Sequence, residues 1–202
     1  MFWFKKNKDI KTAYQIAKET FKADKEVLLQ YIQNPSDDDI DKVIALIYKL
    51  CPDWHSDSYC KYLQFEIERT PLLLQVCKCD FIEKAPNLAI AILKKILSYR
   101  FREYCPTTKV RHQLDHIDEE NNQGETALYT ICKTMFLLRN GTTQLALPES
   151  TCIKMACMLL KRGVDIYIPD DRGNFPIDLA EGDKSLTKLL MNFDKLQKNI
   201  YS

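Results

Sequence analysis

Eight cysteines and three histidines are the side chains of this sequence best suited to bind a metal or to act as a nucleophile. Cys51, His55 and Cys60 lie close together, but their spacings of four and five match no common zinc module. Cys77 and Cys79, with Cys105, His112 and His116, would make a site only if four of them converged. A C-x-C pair on a helix turns its thiols about 200° apart, and both histidines fall in a polar connection. Cys77, Cys132 and Cys157 read more simply as small core residues. The same groups are the ingredients of a Cys–His nucleophile, yet no spacing sets a base beside a thiol. No Ser elbow, HExxH pattern or carboxylate pair is present. The acidic run Asp37, Asp38, Asp39 and Asp41 lacks the Gly and the distal Glu of a calcium loop. Carboxylates there suit the positive end of a helix dipole instead. The expectation is a protein with no catalytic residues, no bound metal and no cofactor.

Composition narrows the class further. Only 5 of 202 residues are Gly, too few for a large hairpin-rich sheet or a phosphate-cradling loop. The net charge is +1, from 29 basic and 28 acidic residues, which argues against a general nucleic-acid binder. A basic stretch through Lys94, Lys95, Arg100, Arg102, Lys109 and Arg111 is read as the solvated face of a helix and its loop. No apolar run reaches the ~20 residues that span a bilayer. The opening MFWFKK is too short for a signal peptide. These features lead to the expectation of a cytoplasmic protein with reduced cysteines.

The elements that must position any site are helical. Ile10, Tyr14, Ala17 and Phe21 fall on one face at helical spacing. Asp24 is expected to cap a second helix, with Val27, Leu28, Tyr31 and Ile32 inward. A third opens at the acidic run, buries Ile40, Val43, Ile44, Ile47 and Leu50, and stops at Pro52. Thr70-Pro71-Leu72 starts a short helix, with Pro where its missing N–H is harmless. A longer helix is predicted over 86–99, with Leu88, Ile92, Leu93 and Ile96 inward. Residues 103–123 read as a polar connection, and helices resume near Thr126, Thr151 and Asp183.

Three of these segments share a pattern. The clearest begins Gly163-Val164-Asp165-Ile166 and continues Asp170-Asp171-Arg172-Gly173-Asn174-Phe175-Pro176-Ile177-Asp178-Leu179-Ala180. It resembles the ankyrin repeat, in which G-A-D-V closes one unit and D-x-x-G-x-T-P-L-H-x-A opens the next. A second copy runs Asn121-Asn122-Gln123-Gly124-Glu125-Thr126-Ala127-Leu128-Tyr129, and a third covers Glu68 to Cys77. Asp170 and Asn121 can hydrogen-bond turn backbone, Gly173 and Gly124 provide a positive φ, and Gly163 ends the preceding helix. Thr70 to Thr126 is 56 residues and Gly124 to Gly173 is 49, against a family period of about 33. The excess is placed in insertions near 100–118 and 138–150. Phe175 replaces the motif Thr and Ala127 the motif Pro. Leu73, Tyr129 and Asp178 stand at the motif His.

The resemblance implies an all-α solenoid of stacked helix pairs. About three divergent repeats would fill 59–202, after an N-terminal helical region, 1–58, that is a cap or a degenerate repeat. It implies no enzyme. It also implies a monomer whose concave face and hairpin tips hold another protein. Turn and first-helix positions expected to be free of packing duty are Glu125, Tyr129, Lys133, Tyr167, Arg172, Asn174 and Asp178. Tyr129 and Asp178 could instead be local hydrogen-bonding substitutes for the His. Lysines outnumber arginines 22 to 7. A short, Lys-rich chain of this kind with irregular insertions resembles bacterial effector and viral host-range ankyrin proteins. The alternative is a metal-binding or enzymatic segment in the N-terminal 60 residues, carried on the same scaffold. Two further features stand apart. Leu147-Pro148-Glu149 with Ile153, Met158 and Leu159 resembles an F-box start, but reads more simply as the opening of a second helix. Phe2, Trp3 and Phe4 form an aromatic tip suited either to fold back or to anchor a contact.

Overall fold

The computed structural model describes residues 19–50, 66–67, 70–98, 103–104, 111–112, 116–140 and 146–201. The aromatic tip, Pro52, and Cys51, His55, Cys60 and Cys105 lie outside them. Helix α1 occupies 19–33 and continues through Asp24 without a break, so the expected cap at that residue is not formed. No Gly or Pro interrupts the run, and the Asp24 carboxylate is engaged by Lys49 Nζ at 2.7 Å, on the neighbouring helix. That neighbour is α2 (Ile40–Leu50), which buries Val43, Ile47 and Leu50.

A 3-10 turn, Asp37–Asp39, leads into α2, and the Ser36 hydroxyl accepts the Asp38 N–H at 3.2 Å. The acidic run has a second task. The Asp37 carboxylate accepts the backbone N–H of Leu88 at 2.8 Å and the side-chain N–H of Asn87 at 2.8 Å. These groups open helix α5 (Pro86–Leu97), whose own N-cap, Ala85, has no side-chain acceptor. A carboxylate 51 residues upstream therefore satisfies an orphan N–H of that helix and complements its dipole. Leu88, Ile92 and Leu93 are buried as expected.

Between α2 and α5, strand β1 (Glu66–Ile67) pairs antiparallel with β2 (Thr70–Pro71). Two short helices follow, α3 (Leu72–Gln75) and α4 (Cys79–Lys84). Pro71 thus closes a strand pair, and the helix begins one residue later than its motif position suggests. The long connection after α5 holds a second two-residue ladder, β3 (Glu103–Tyr104) with β4 (Arg111–His112), and a 3-10 turn at His116–Asp118 with Ile117 buried. The C-terminal half then alternates α6 (Ala127–Asn140), α7 (Ala146–Arg162), α8 (Pro176–Ala180) and α9 (Lys184–Tyr201).

The helices pack in two rows. In the inner row, α3 and α4 pack on α6, and α6 on α8; in the outer row, α2 packs on α5, α5 on α7, and α7 on α9. Rungs such as α6 with α7 and α8 with α9 join the rows. One apolar cluster runs through the whole stack, from Leu28 and Ile47 through Leu74, Ile92, Leu128, Ile131, Met155 and Leu159 to Leu186 and Leu190. Each such fully buried side chain contributes roughly 1.5–3 kcal/mol, and no single helix pair could close that seam alone. Leu159 is fully buried, and Ile153 and Met158 pack against the cluster. The Leu147-Pro148-Glu149 segment is therefore the first turn of a structural helix whose Ile153, Met158 and Leu159 are committed to the core.

Candidate binding face: hairpin turns and inner helices

Two turns make the same set of hydrogen bonds. In the first, Asn121 Oδ1 accepts from the N–H of Gln123 (2.8 Å) and of Glu125 (3.0 Å), and Gly124 N–H donates to Asn121 O (3.1 Å). In the second, Asp170 Oδ1 accepts from Arg172 (3.0 Å) and Asn174 (2.8 Å), and Gly173 N–H donates to Asp170 O (2.9 Å). The Asx side chain at the first position organises both turns. The glycines take φ of +72° and +84°.

The turns are also joined side by side. Asp171 N–H donates to Gln123 O at 3.0 Å, Asp165 N–H to the Asp118 carboxylate at 3.0 Å, and Tyr129 Oη to Asp170 Oδ2 at 2.7 Å. Burial, reinforced by the negative charge of Asp170, pushes the Tyr129 hydroxyl pKa up, so it stays a donor. Partial burial opposes the charged form of Asp170. The hydrogen bonds from Tyr129, Asn174 and Arg172 outweigh it and lower the carboxyl to about 2.

Each turn feeds its inner helix by a different cap. Thr126 Oγ1 accepts the Tyr129 N–H at 3.3 Å, the role expected of a motif Thr. Phe175 cannot do this, and Asp178 compensates by accepting the Phe175 N–H at 2.7 Å. Tyr129 and Asp178 both stand in for the motif His, but Tyr129 reaches to the next turn while Asp178 serves its own helix. The segment around Thr70 is unlike these two, being the β1–β2 pair described above.

The expected contact residues divide accordingly. Tyr129 is 4% exposed and Glu125 8%, so the expectation that both are free of packing duty is corrected. Glu125 holds Lys133 Nζ at 2.6 Å and Asn121 Nδ2 at 2.9 Å, which partly commits Lys133 too. Arg172, Asn174, Asp178 and Tyr167 are exposed. Asn174 donates to Asp170, and the Tyr167 hydroxyl bonds Asp194 on α9.

Periodicity did not single out Phe136 and Leu137, which are 45% and 48% exposed in the C-terminal third of α6. Leu137 lines a depression of about 440 Å³ with Leu74, Lys78, Asp80, Gln123 and Lys133, among others. Phe136 lies seven residues after Tyr129 and shares its stripe of the helix. The signal was present as two adjacent large apolar residues, but a helix as apolar as α6 gives no hint of which one faces water.

Four of the thiols, Cys77, Cys79, Cys132 and Cys152, are held protonated. Burial pushes Cys77 and Cys132 up, and Cys152 to about 12, with the Cys79 charge adding to the last. Cys79 rises to about 11 through burial and then Glu83. Among the described residues no group of three or more His, Cys, Asp or Glu could hold a metal ion, and no helix is long and apolar enough to cross a membrane.

No protein-family model and no curated protein matches the chain. Among solved structures, the ankyrin repeat protein EF0377 is similar at 17% identity over 81% of this chain and 78% of that one, with a TM-score of 0.37. The decisive observation is internal. Two turns with one hydrogen-bonding scheme stand side by side, each opening an inner helix of a two-row stack. The fold is ankyrin-like.

Proposed function

We propose that this chain is a non-catalytic binding module that holds another protein on its inner-helix face and hairpin tips. The observation that carries the reading is the bonded pair of turns beside an inner helix that leaves Phe136 and Leu137 uncovered. A surface fixed in this way loses little entropy when a partner docks, and a few large side chains can provide most of the binding energy. The contact set is Leu137, Phe136, Lys133, Arg172, Asn174, Tyr167 and Asp178, with Glu125 and Tyr129 holding the turns beneath them. The protein acts as a monomer in a cytoplasm. The packing of α2 on α5 supports α1 and α2 as a decayed first repeat.

Photo-crosslinking tests this. A benzophenone amino acid placed at Leu137 or Arg172 should capture one and the same protein in the source cell. The same probe at Lys154 or Lys188, on the outer row, should capture none. Adducts formed only from the outer row would overturn the proposal.

An effector role in a host cell is the finer reading, drawn from the Lys-rich composition and the two insertions. The length of the two insertions supports it, because long connections in compact repeats are often contact segments. Separate deletions of 105–110 and 141–145, the parts of the two insertions outside α6, α7 and the β3–β4 pair, followed by capture from host lysate, test it. Capture unchanged by both deletions would remove the insertions from the contact.

A further inference from the structure

The near-zero net charge conceals a division between the two rows. On the outer row, Lys154, Lys161, Lys184, Lys188 and Lys195 are exposed. On the turns and inner helices of the last two units, the exposed charged residues are mainly acidic: Glu120, Asp165, Asp171, Asp178 and Glu181, against Arg139 and Arg172. Among the basic residues there, Lys133 is bound to Glu125 and Arg139 to Asp183, which leaves Arg172 as the main counterweight. Within this acidic rim, Glu120 and Asp171 lie at the turns that open α6 and α8, with Asp171 bonded to Gln123, and the depression beside Leu137 is itself lined by Asp80 and Glu125 together with Lys78 and Lys133.

We propose that the partner presents a basic peptide segment with one large apolar anchor, seated over Phe136 and Leu137 and with its cationic side chains toward the acidic rim. The proposal rests on the binding-face reading and names the class of partner. Charge complementarity selects the occupant: an acidic segment would be repelled by the rim, and a basic one is steered to it. Geometry adds a spacing. Leu137 is about 15 Å along α6 from Ala127, at 1.5 Å per residue, and the turns lie beyond that end. An extended peptide covers the helix alone in about four or five residues, so the anchor and the cations that meet the turns should be separated by at least about five positions.

The test starts from a phage-displayed dodecapeptide library selected on the full chain. Enriched sequences should carry Lys or Arg together with a Leu or aromatic residue at that spacing. Fluorescence anisotropy with a synthetic copy should show affinity falling as salt rises. It should fall about tenfold with Leu137→Ser, and about tenfold with the combined Glu120→Lys, Asp171→Lys, Glu181→Lys variant, the scale expected for a docking anchor and its rim charges. Lys161→Glu should leave it unchanged. If charge reversal unfolds the protein by circular dichroism, the neutral set Glu120→Gln, Asp171→Asn, Glu181→Gln replaces it. Acidic or uncharged sequences that still depend on Leu137 would overturn the partner class and leave the binding face intact. Sequences indifferent to Leu137 but sensitive to Lys161→Glu would overturn both. A library without enrichment would overturn the peptide proposal alone.

Discussion

The hydroxyl of Tyr129 donates to the carboxylate of Asp170, 41 residues further on, at 2.7 Å. It ties the start of one inner helix to the turn that opens the next. Tyr129 is therefore a structural joint between repeats, and the neighbouring turns that form the proposed contact surface depend on it.

Tyr129→Phe removes only that donor. A hydrogen bond to a charged acceptor is worth about 1.5–3 kcal/mol, and the partial exposure of Asp170 places this one near the lower end. Urea unfolding at pH 7 should show a loss of about 1–2 kcal/mol. The carboxyl of Asp170 is lowered to about 2 in the folded protein, against about 3.9 when unfolded. A depressed carboxyl stabilises the fold above its unfolded pKa and ceases to do so as pH falls through its folded pKa. The difference between wild type and Tyr129→Phe should accordingly shrink between about pH 4 and pH 2. A difference that stays constant over that window would show that Asp170 is not the acceptor that matters.

Gly124 and Gly173 occupy equivalent places but should tolerate Ala differently. A Cβ on Gly124 would lie 2.7 Å from Asp171 Oδ1 and 2.8 Å from Asp171 N, whereas one on Gly173 meets nothing within 4 Å. Both substitutions pay for a positive φ, about 1–2 kcal/mol. Gly124→Ala must also push the next turn aside, which adds about 1–3 kcal/mol. Denaturation midpoints should rank wild type, Gly173→Ala, then Gly124→Ala. Equal losses would mean that the two turns are not stacked.

The parts legible in the sequence are those set by near neighbours. Val43, Ile47 and Leu50, or Leu88, Ile92 and Leu93, share a face through helical spacing alone, and an Asx followed by Gly at the third position marks the turn. The parts that were not legible depend on distant partners. Asp37 caps α5 across 51 residues, and nothing near Asp37 announces that Ala85 leaves that helix uncapped. Asp24 resembles a helix start and yet sits mid-helix, where Lys49 pairs with it from the next helix. The site followed the same rule. Asp178 and Tyr129 were both legible as substitutes for a missing His. That Tyr129 is buried and Leu137 is not depends on which helix stacks on which side of α6.

The buried thiols should resist alkylation. Burial above all pushes Cys152 up to about 12 and Cys79 up to about 11. In native protein at pH 8, iodoacetamide should modify the peptides holding Cys77, Cys132 and Cys152 only slowly, because the thiolate is the reacting form. In urea above the unfolding midpoint they should react like free cysteine. Mass spectrometry of the peptides separates these residues from Cys51, Cys60 and Cys105. Rapid native labelling of Cys152 would contradict its burial on α7, close to Cys77, Cys79 and Cys132.

Asp183 carries two loads at the start of α9. Its Oδ1 accepts the N–H groups of Ser185 and Leu186, each at 2.8 Å, and its Oδ2 lies 3.3 Å from Nε of Arg139 on α6. Capping residues contribute about 0.5–2 kcal/mol, and a half-exposed ion pair about 0.2–1 kcal/mol. Asp183→Asn keeps an oxygen for the cap and should lose only the second amount. Asp183→Ala loses both and strands the buried N–H groups, so about 2 kcal/mol should disappear from the unfolding free energy at pH 7. In 0.5 M salt the Asn variant should draw closer to wild type, since the ion pair is screened, while the Ala variant stays well below. If Asn and Ala proved equally damaging at both salt concentrations, the ion pair to Arg139 would be the main link between α6 and α9, and the cap would be secondary.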